Sequence, residues 1–213
     1  MFIPAPHGQL EATFREGDDP VRGAAVFCHP HPLHGGTMHT KAVYRAAQAL
    51  NESGFDVLRF NFRGVGASTG SYGEGVDEIE DVDAALDWLR ARDPRRPILV
   101  GGFSFGSLVG LRAGLGADGV RALLALGIPV RMYDFGFLEG AGVPIHVVQG
   151  ENDEFGPGPE IQEVVESMGA GVTLDRIPGA DHYFNGHFEE LKVAVKGYVS
   201  GGAATAAFPE TGA

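Results

Sequence analysis

One alternation dominates the chain. A short, mainly apolar run is followed by a turn and then by a longer run with apolar residues at helical spacing, and this unit recurs along most of the 213 residues. Residues 24–28, 56–60, 97–100, 122–127, 144–149 and 172–177 read as strands, with 10–15 as an earlier candidate edge strand. Residues 38–53, 76–92, 104–115, 159–168 and 184–199 read as helices, and in the second of these Ile79, Val82, Leu86 and Leu89 form one stripe. Apolar strands separated by helices need both sheet faces covered. The pattern therefore predicts an α/β fold with a mainly parallel sheet between helical layers. In such sheets ligands bind at the carboxyl ends of the strands, so chemistry is expected just after each one.

Length and charge narrow the partners. Residues 1–200 are expected to form one domain, and the Gly-, Ala- and Thr-rich stretch 201–213 a flexible tail. Lys and Arg total 16 against 28 Asp and Glu, a formal charge of -12. That excess repels phosphate backbones and anionic lipid surfaces, which argues against nucleic-acid and membrane partners and for a small-molecule substrate. The longest apolar run, 122–130, is far short of the ~20 residues of a membrane span. The N-terminus lacks the basic and apolar segments of a signal peptide, so a cytoplasmic location is expected. The lone Cys28 cannot form an internal disulfide and reads as a buried, inert thiol.

The strongest chemical signal is Gly102-Phe103-Ser104-Phe105-Gly106, placed between a strand and a helix. A serine on so sharp a turn is crowded by its neighbours two residues away, and the two glycines remove the side chains that would clash. The turn holds the hydroxyl clear of the sheet and aims the Phe105 amide at a substrate oxygen. A serine hydroxyl needs a base, and the base an orienting carboxylate. Asp153 follows the strand 144–149 and His182 follows the strand 172–177, so Ser104, Asp153 and His182 occur in the order and context of a Ser…Asp…His triad. Asp134 is the main competing acid, while Glu151, Glu154 and Asp181 flank the candidates.

The stretch His29-Pro30-His31-Pro32-Leu33-His34-Gly35-Gly36-Thr37-Met38 follows the strand 24–28, where a second oxyanion donor is needed. Pro30 and Pro32 carry no N–H. That leaves His31, Leu33 or a later residue, and Leu33 is favoured, with Phe105 as the other donor. His29, His31, His34 and His39 also invite a metal reading, but the group lacks Cys or carboxylate ligands, so no metal is expected. Gly64-Val65-Gly66 resembles a dinucleotide loop only faintly, because Thr69 stands where its third glycine belongs; no cofactor is expected.

Taken together, Gly102–Gly106 in its elbow pattern, Asp153, and Gly179-Ala180-Asp181-His182 resemble the α/β-hydrolase superfamily. The His29–Met38 stretch and Phe60-Asn61-Phe62-Arg63-Gly64-Val65-Gly66 are similar to those of small bacterial α/β-hydrolases of the size and plan of dienelactone hydrolases. Those use a cysteine nucleophile, whereas this elbow holds a serine. The resemblance covers about residues 5 to 200 and implies an eight-stranded, mostly parallel sheet with one antiparallel early strand. The connection 128–143 is too short for a sizeable lid. The implied activity is a serine esterase working through an acyl-enzyme. Thioesterase, peptidase and a non-catalytic binding protein of the same fold are the alternatives.

Overall fold

The alternation builds a single eight-stranded sheet in the computed structural model, which describes residues 1–209. The strands are β1 (Phe2–Ala5), β2 (Gly8–Arg15), β3 (Gly23–Cys28), β4 (Phe55–Phe60), β5 (Ile98–Phe103), β6 (Val120–Leu126), β7 (Ile145–Gly150) and β8 (Val172–Ile177). Their order is β1-β2-β4-β3-β5-β6-β7-β8. Strand β2 runs antiparallel to β1 and β4, and every other pairing is parallel. The expected antiparallel early strand is thus β2. It lies one place inside the edge, because β1 pairs outside it. Strand β1 escapes a periodicity reading: it has four residues, one of them Pro4, and only Ile3 is fully buried. An edge is where a strand tolerates proline.

Among the described residues six helices cover the sheet: α1 (Lys41–Asn51), α2 (Glu78–Arg92), α3 (Phe105–Gly114), α4 (Gly158–Met168), α5 (Phe188–Ser200) and α6 (Gly202–Ala207). Helices α2, α3 and α4 bury their apolar residues on one face, and α1 and α5 on the other. Strands β3, β5 and β7 lie between the two layers and are buried at every residue, which is why β3 and β5 read as apolar runs, whereas β7 also buries His146 and Gln149. Two helices begin three or more residues later than their spacing suggests. Helix α1 starts at Lys41 rather than 38, since the Met38 N–H donates to Asn61 Oδ1 (2.8 Å) instead of entering a helix. Helix α5 starts at Phe188 rather than 184, because Phe184 is buried in a left-handed turn at φ 57°.

The expectation of a flexible tail from residue 201 needs correction as far as Phe208. Residues Gly202–Ala207 are helical, and Ala204 and Phe208 are fully buried. The Phe208 ring meets Phe55 edge-on at 4.8 Å, and Arg22 Nη2 donates to the Phe208 and Val199 carbonyls (3.0 and 3.1 Å). One aromatic anchor and one guanidinium dock a segment whose Gly and Ala content conceals them. Residues 210–213 of that expected tail lie outside the described residues.

The sheet order positions the site. Strand β3 sends the chain through α1 to β4 on one side, whereas β4 returns it through α2 to β5 on the other side of β3. Beyond β5 the order runs on through β6, β7 and β8. The loops leaving β3 and β5 therefore part to opposite faces, and the carboxyl ends of these two neighbours frame a crevice. Between β6 and β7 only a short 3-10 turn, Gly136–Leu138, intervenes, with Phe135 and Leu138 buried in the core, so no lid covers the crevice.

Candidate active site

Ser104 ends β5 as the residue before α3, with φ 56° and ψ -120°. A non-glycine residue at such angles is strained and needs surroundings that hold it there. Its N–H donates to the Leu126 carbonyl of β6 (2.9 Å), and its own carbonyl accepts from the Ser107 N–H and hydroxyl (2.9 and 2.6 Å). The two glycines act as the sequence suggests. A Cβ on Gly102 would stand 2.1 Å from the Gly106 carbonyl oxygen, and one on Gly106 would stand 2.4 Å from that of His29. The second contact shows that the elbow also packs against the loop leaving β3.

The structure brings Ser104, His182 and Asp153 together. Ser104 Oγ donates to His182 Nε2 at 3.0 Å, and His182 Nδ1–H donates to Asp153 Oδ2 at 2.7 Å. Asp153 and His182 are buried, and Ser104 is partly exposed at the floor of the crevice. The competing acids lie elsewhere. Asp134 is exposed and its Oδ1 accepts the Gly136 N–H at 2.8 Å, while Asp181 accepts from the Asn185 N–H and side-chain amide (both 2.9 Å).

Gln149 is a participant that sequence reasoning missed. It is fully buried at the carboxyl end of β7. Its Nε2 donates to Asp153 Oδ2 (2.8 Å) and to the Gly156 carbonyl (3.0 Å), and its Oε1 accepts the Ile128 N–H (2.9 Å). The Phe155 N–H donates to Asp153 Oδ1 at 2.8 Å. Asp153 thus has three donors around it, which fix the direction of its carboxylate. The available signal was a lone amide inside an apolar strand, since a buried amide needs partners.

The loop leaving β3 is stapled by His29. Its Nδ1–H donates to the Pro30 carbonyl (2.6 Å) and its Nε2 accepts the Phe62 N–H (2.9 Å), which joins this loop to the segment after β4. Burial pushes its imidazole down to about 4, against the opposing pull of the bond to Pro30. His29 therefore stays neutral in the fold. His31 comes next, and its ring links three neighbours. Its Nδ1 accepts the Leu33 N–H (3.2 Å), its Nε2 faces the Tyr72 hydroxyl (3.1 Å), and it stacks on His34 at 4.3 Å. Because the Leu33 N–H can only donate, Nδ1 must be the acceptor and Nε2 carries the proton.

This geometry corrects the place given to Leu33. Leu33 lies in the 3-10 turn Pro32–His34 with 67% of its surface exposed, its amide is engaged by His31, and it does not line the cavity above Ser104. His31 does line that cavity, together with Phe105. The 3-10 turn started by Pro32 swings Leu33 outward, which counting N–H groups along the sequence does not reveal. Phe105 is the first residue of α3, so its amide has no intrahelical acceptor.

The cavity measures about 170 Å³ and is bounded by Pro30, His31, Phe105, Tyr133, Phe155 and Tyr183 among others. A larger groove of 820 Å³ lies at the opposite end of the sheet, beside the first residues of β7 and β8 and Tyr198, away from Ser104. It is at the amino ends of the strands, where such sheets do not place their chemistry. Among the described residues no three His, Cys, Asp or Glu side chains converge to hold a metal ion, and His34 and His39 are exposed. The turn at Gly64 and Gly66 is not shaped for a phosphate. The Glu11 carboxylate already accepts the Ala67 N–H there (2.9 Å), together with the Asn61 side-chain amide (2.8 Å). Cys28 is fully buried and its thiol is pushed up by burial, in keeping with an inert side chain. No helix among the described residues is long and apolar enough to cross a membrane.

Comparison with known proteins agrees with this architecture. Residues 24–132 match the family described as serine aminopeptidase, S33. An uncharacterized protein of Rickettsia prowazekii is 35% identical over 208 residues, covering 93% of this chain and 87% of that protein. An α/β serine hydrolase homologue from Coxiella burnetii superimposes with a TM-score of 0.87 at 36% identity, over 92% of this chain and 94% of the other. An α/β serine hydrolase without a lid from Xanthomonas campestris gives a TM-score of 0.84 at 33% identity, over 94% and 92% of the two chains. Sheet order, elbow and open crevice on one side, and these relatives on the other, lead to one assignment: the chain belongs to the serine aminopeptidase S33 family of α/β-hydrolases and is similar to α/β serine hydrolases, one of them without a lid.

Proposed function

We propose that this protein hydrolyses a carboxylic ester or related acyl bond through a covalent acyl-enzyme. The observation that carries the reading is the continuous hydrogen-bonded line from Ser104 Oγ through His182 to Asp153. Ser104 Oγ attacks the carbonyl carbon while His182 Nε2 takes the hydroxyl proton. Asp153 holds the imidazole with its proton on Nδ1 and stabilises the imidazolium. The Phe105 and His31 amides face the oxyanion, His31 taking the place first given to Leu33, and the N-terminal end of α3 adds a favourable dipole. The proton on Nε2 passes to the leaving oxygen, and water, deprotonated by the same nitrogen, then releases the acid. No cofactor enters this cycle. Thioesters and amides are open to the same attack, and the family's description favours an amide as the second reading. A cytoplasmic site of action suits a chain whose one cysteine is buried and unpaired.

The test is kinetic and covalent. Ser104→Ala is expected to abolish fluorophosphonate labelling and leave only background turnover, and Asp153→Asn to lower kcat by roughly 10³–10⁴ through the wrong imidazole tautomer. Wild-type turnover of p-nitrophenyl acetate by the Ser104→Ala protein would end the proposal.

A further inference from the structure

The cavity above Ser104 is walled by rings. On one side His34 stacks on His31, the His31 ring lies 5.0 Å from Phe105, and Phe105 lies 6.5 Å from Tyr133. On the other side Phe155 and Tyr183 lie 4.7 and 5.3 Å from the His182 ring. Among the described residues no Lys, Arg, Asp or Glu lines the space. Lys41 and Glu154, next in sequence to the lining residues Thr40 and Phe155, are exposed and lie outside the lining, and other ionic side chains around it are held by partners. Arg131 Nε donates to Glu160 (2.8 Å), Glu78 accepts the Gly73 and Gly75 N–H groups (both 2.8 Å), and Asp134 and Asp181 are engaged as described above. Asp153 is buried and surrounded by its own donors. Burial and the neighbouring His34 hold the His31 imidazole below its ordinary value, which disfavours a cation there.

Resting on the serine-hydrolase reading, we infer that the site takes compact, uncharged acyl groups and rejects those carrying an ammonium or a carboxylate. An ion moved from water into this space would find no partner of opposite charge, and the loss of its hydration is then uncompensated. Ring faces attract cations, but more weakly than full desolvation penalises them. The volume sets the size limit, since 170 Å³ is well below the ~300–1,000 Å³ of pockets that hold drug-sized ligands. An aminopeptidase substrate carries its ammonium one carbon from the scissile carbonyl. With that carbonyl against Ser104, the ammonium stands two bonds away from it, beside the lining rings. This chain therefore departs from the activity in its family's description.

Two isosteric pairs of p-nitrophenyl esters isolate charge from shape: 3,3-dimethylbutyrate against trimethylglycine, and 4-methylpentanoate against succinate. Each kcat/KM is measured at about pH 8, where imidazoles are largely neutral, and divided by the ester's own rate with hydroxide. The neutral member of each pair is expected to lead by roughly 100-fold or more. Met132→Glu places a carboxylate at the mouth, where Met132 is half exposed, and is expected to narrow the first gap and widen the second. Parity within either pair, with Ser104-dependent turnover of all four esters, would overturn the inference and leave the hydrolase reading standing. Turnover of none of the four would overturn both.

Discussion

Replacing Gln149 by leucine separates the support of the acid from the acid itself. Leucine keeps the bulk in a fully buried position but removes every polar atom. Four hydrogen bonds go with it: the 2.8 Å bond to Asp153 Oδ2, the 3.0 Å bond to the Gly156 carbonyl, the 2.9 Å bond from the Ile128 N–H and a long 3.4 Å bond to the Ile128 carbonyl. A bond to a charged acceptor is worth about 1.5–3 kcal/mol, and each backbone group left unsatisfied in the core costs about 1–3 kcal/mol. Partial relaxation of the loop keeps the total near the upper end for single substitutions, about 4 kcal/mol of folding stability. Turnover should respond differently. Asp153 retains the Phe155 N–H and the His182 Nδ1–H, so it loses one donor of three. If that donor acts fully in the transition state, kcat/KM falls by roughly 10–150-fold. That lies well short of the roughly 10³–10⁴ expected of Asp153→Asn, which disturbs the tautomer itself. Urea denaturation and hydrolysis of p-nitrophenyl acetate, measured under conditions where both proteins are folded, read the two effects separately. A large loss of stability with unchanged kcat/KM would refute the argument that Gln149 supports the acid.

Further expectations follow from the elbow and from His29. In Gly106→Ala the new Cβ meets the His29 and Cys28 carbonyl oxygens at 2.4 and 2.6 Å, so elbow and loop must separate at a cost of about 1–3 kcal/mol. Ser104 should then react slowly with a fluorophosphonate in a protein that is still folded, and labelling at the wild-type rate would show that the close approach is dispensable. His29 is depressed to about 4 in the fold, so the unfolded chain binds the extra proton as pH falls below the ordinary histidine value near 6.5. Its contribution is therefore complete above that value and is lost progressively down to pH 4, by about 3 kcal/mol in all. Denaturation curves of wild type and His29→Gln between pH 7 and pH 4 should show a shallower decline in the variant, and parallel declines would exclude this source.

Ser104, Asp153 and His182 were legible because each follows an apolar strand and because their order along the chain matches a known spatial arrangement. Leu33 was misplaced for a specific reason. Eliminating Pro30 and Pro32 as donors left several amides, and choosing among them needs the direction of the backbone after Pro32, which a 3-10 turn reverses. Gln149 is hidden by its own strand, because after Ile145, Val147 and Val148 it reads as a strand end rather than as an amide needing partners. Helix α6 failed to show because its sequence is nearly all small residues. Its attachment depends on Phe208 and on Arg22, which is 186 residues away along the chain.

The hydrogen-bonded side chains Ser104, Asp153 and His182 follow β5, β7 and β8, so the serine and the histidine are 78 residues apart in sequence. A chain folded only as far as β6 would present the Ser104 elbow with no base beside it. On the proposed mechanism, covalent capture of Ser104 would date the completion of the sheet, since the serine is expected to react only when the last strand has docked and carried His182 into place. A fluorophosphonate added during refolding or synthesis works as a clock for that final step, read from a single residue, in a protein with only one tryptophan to report on folding by fluorescence.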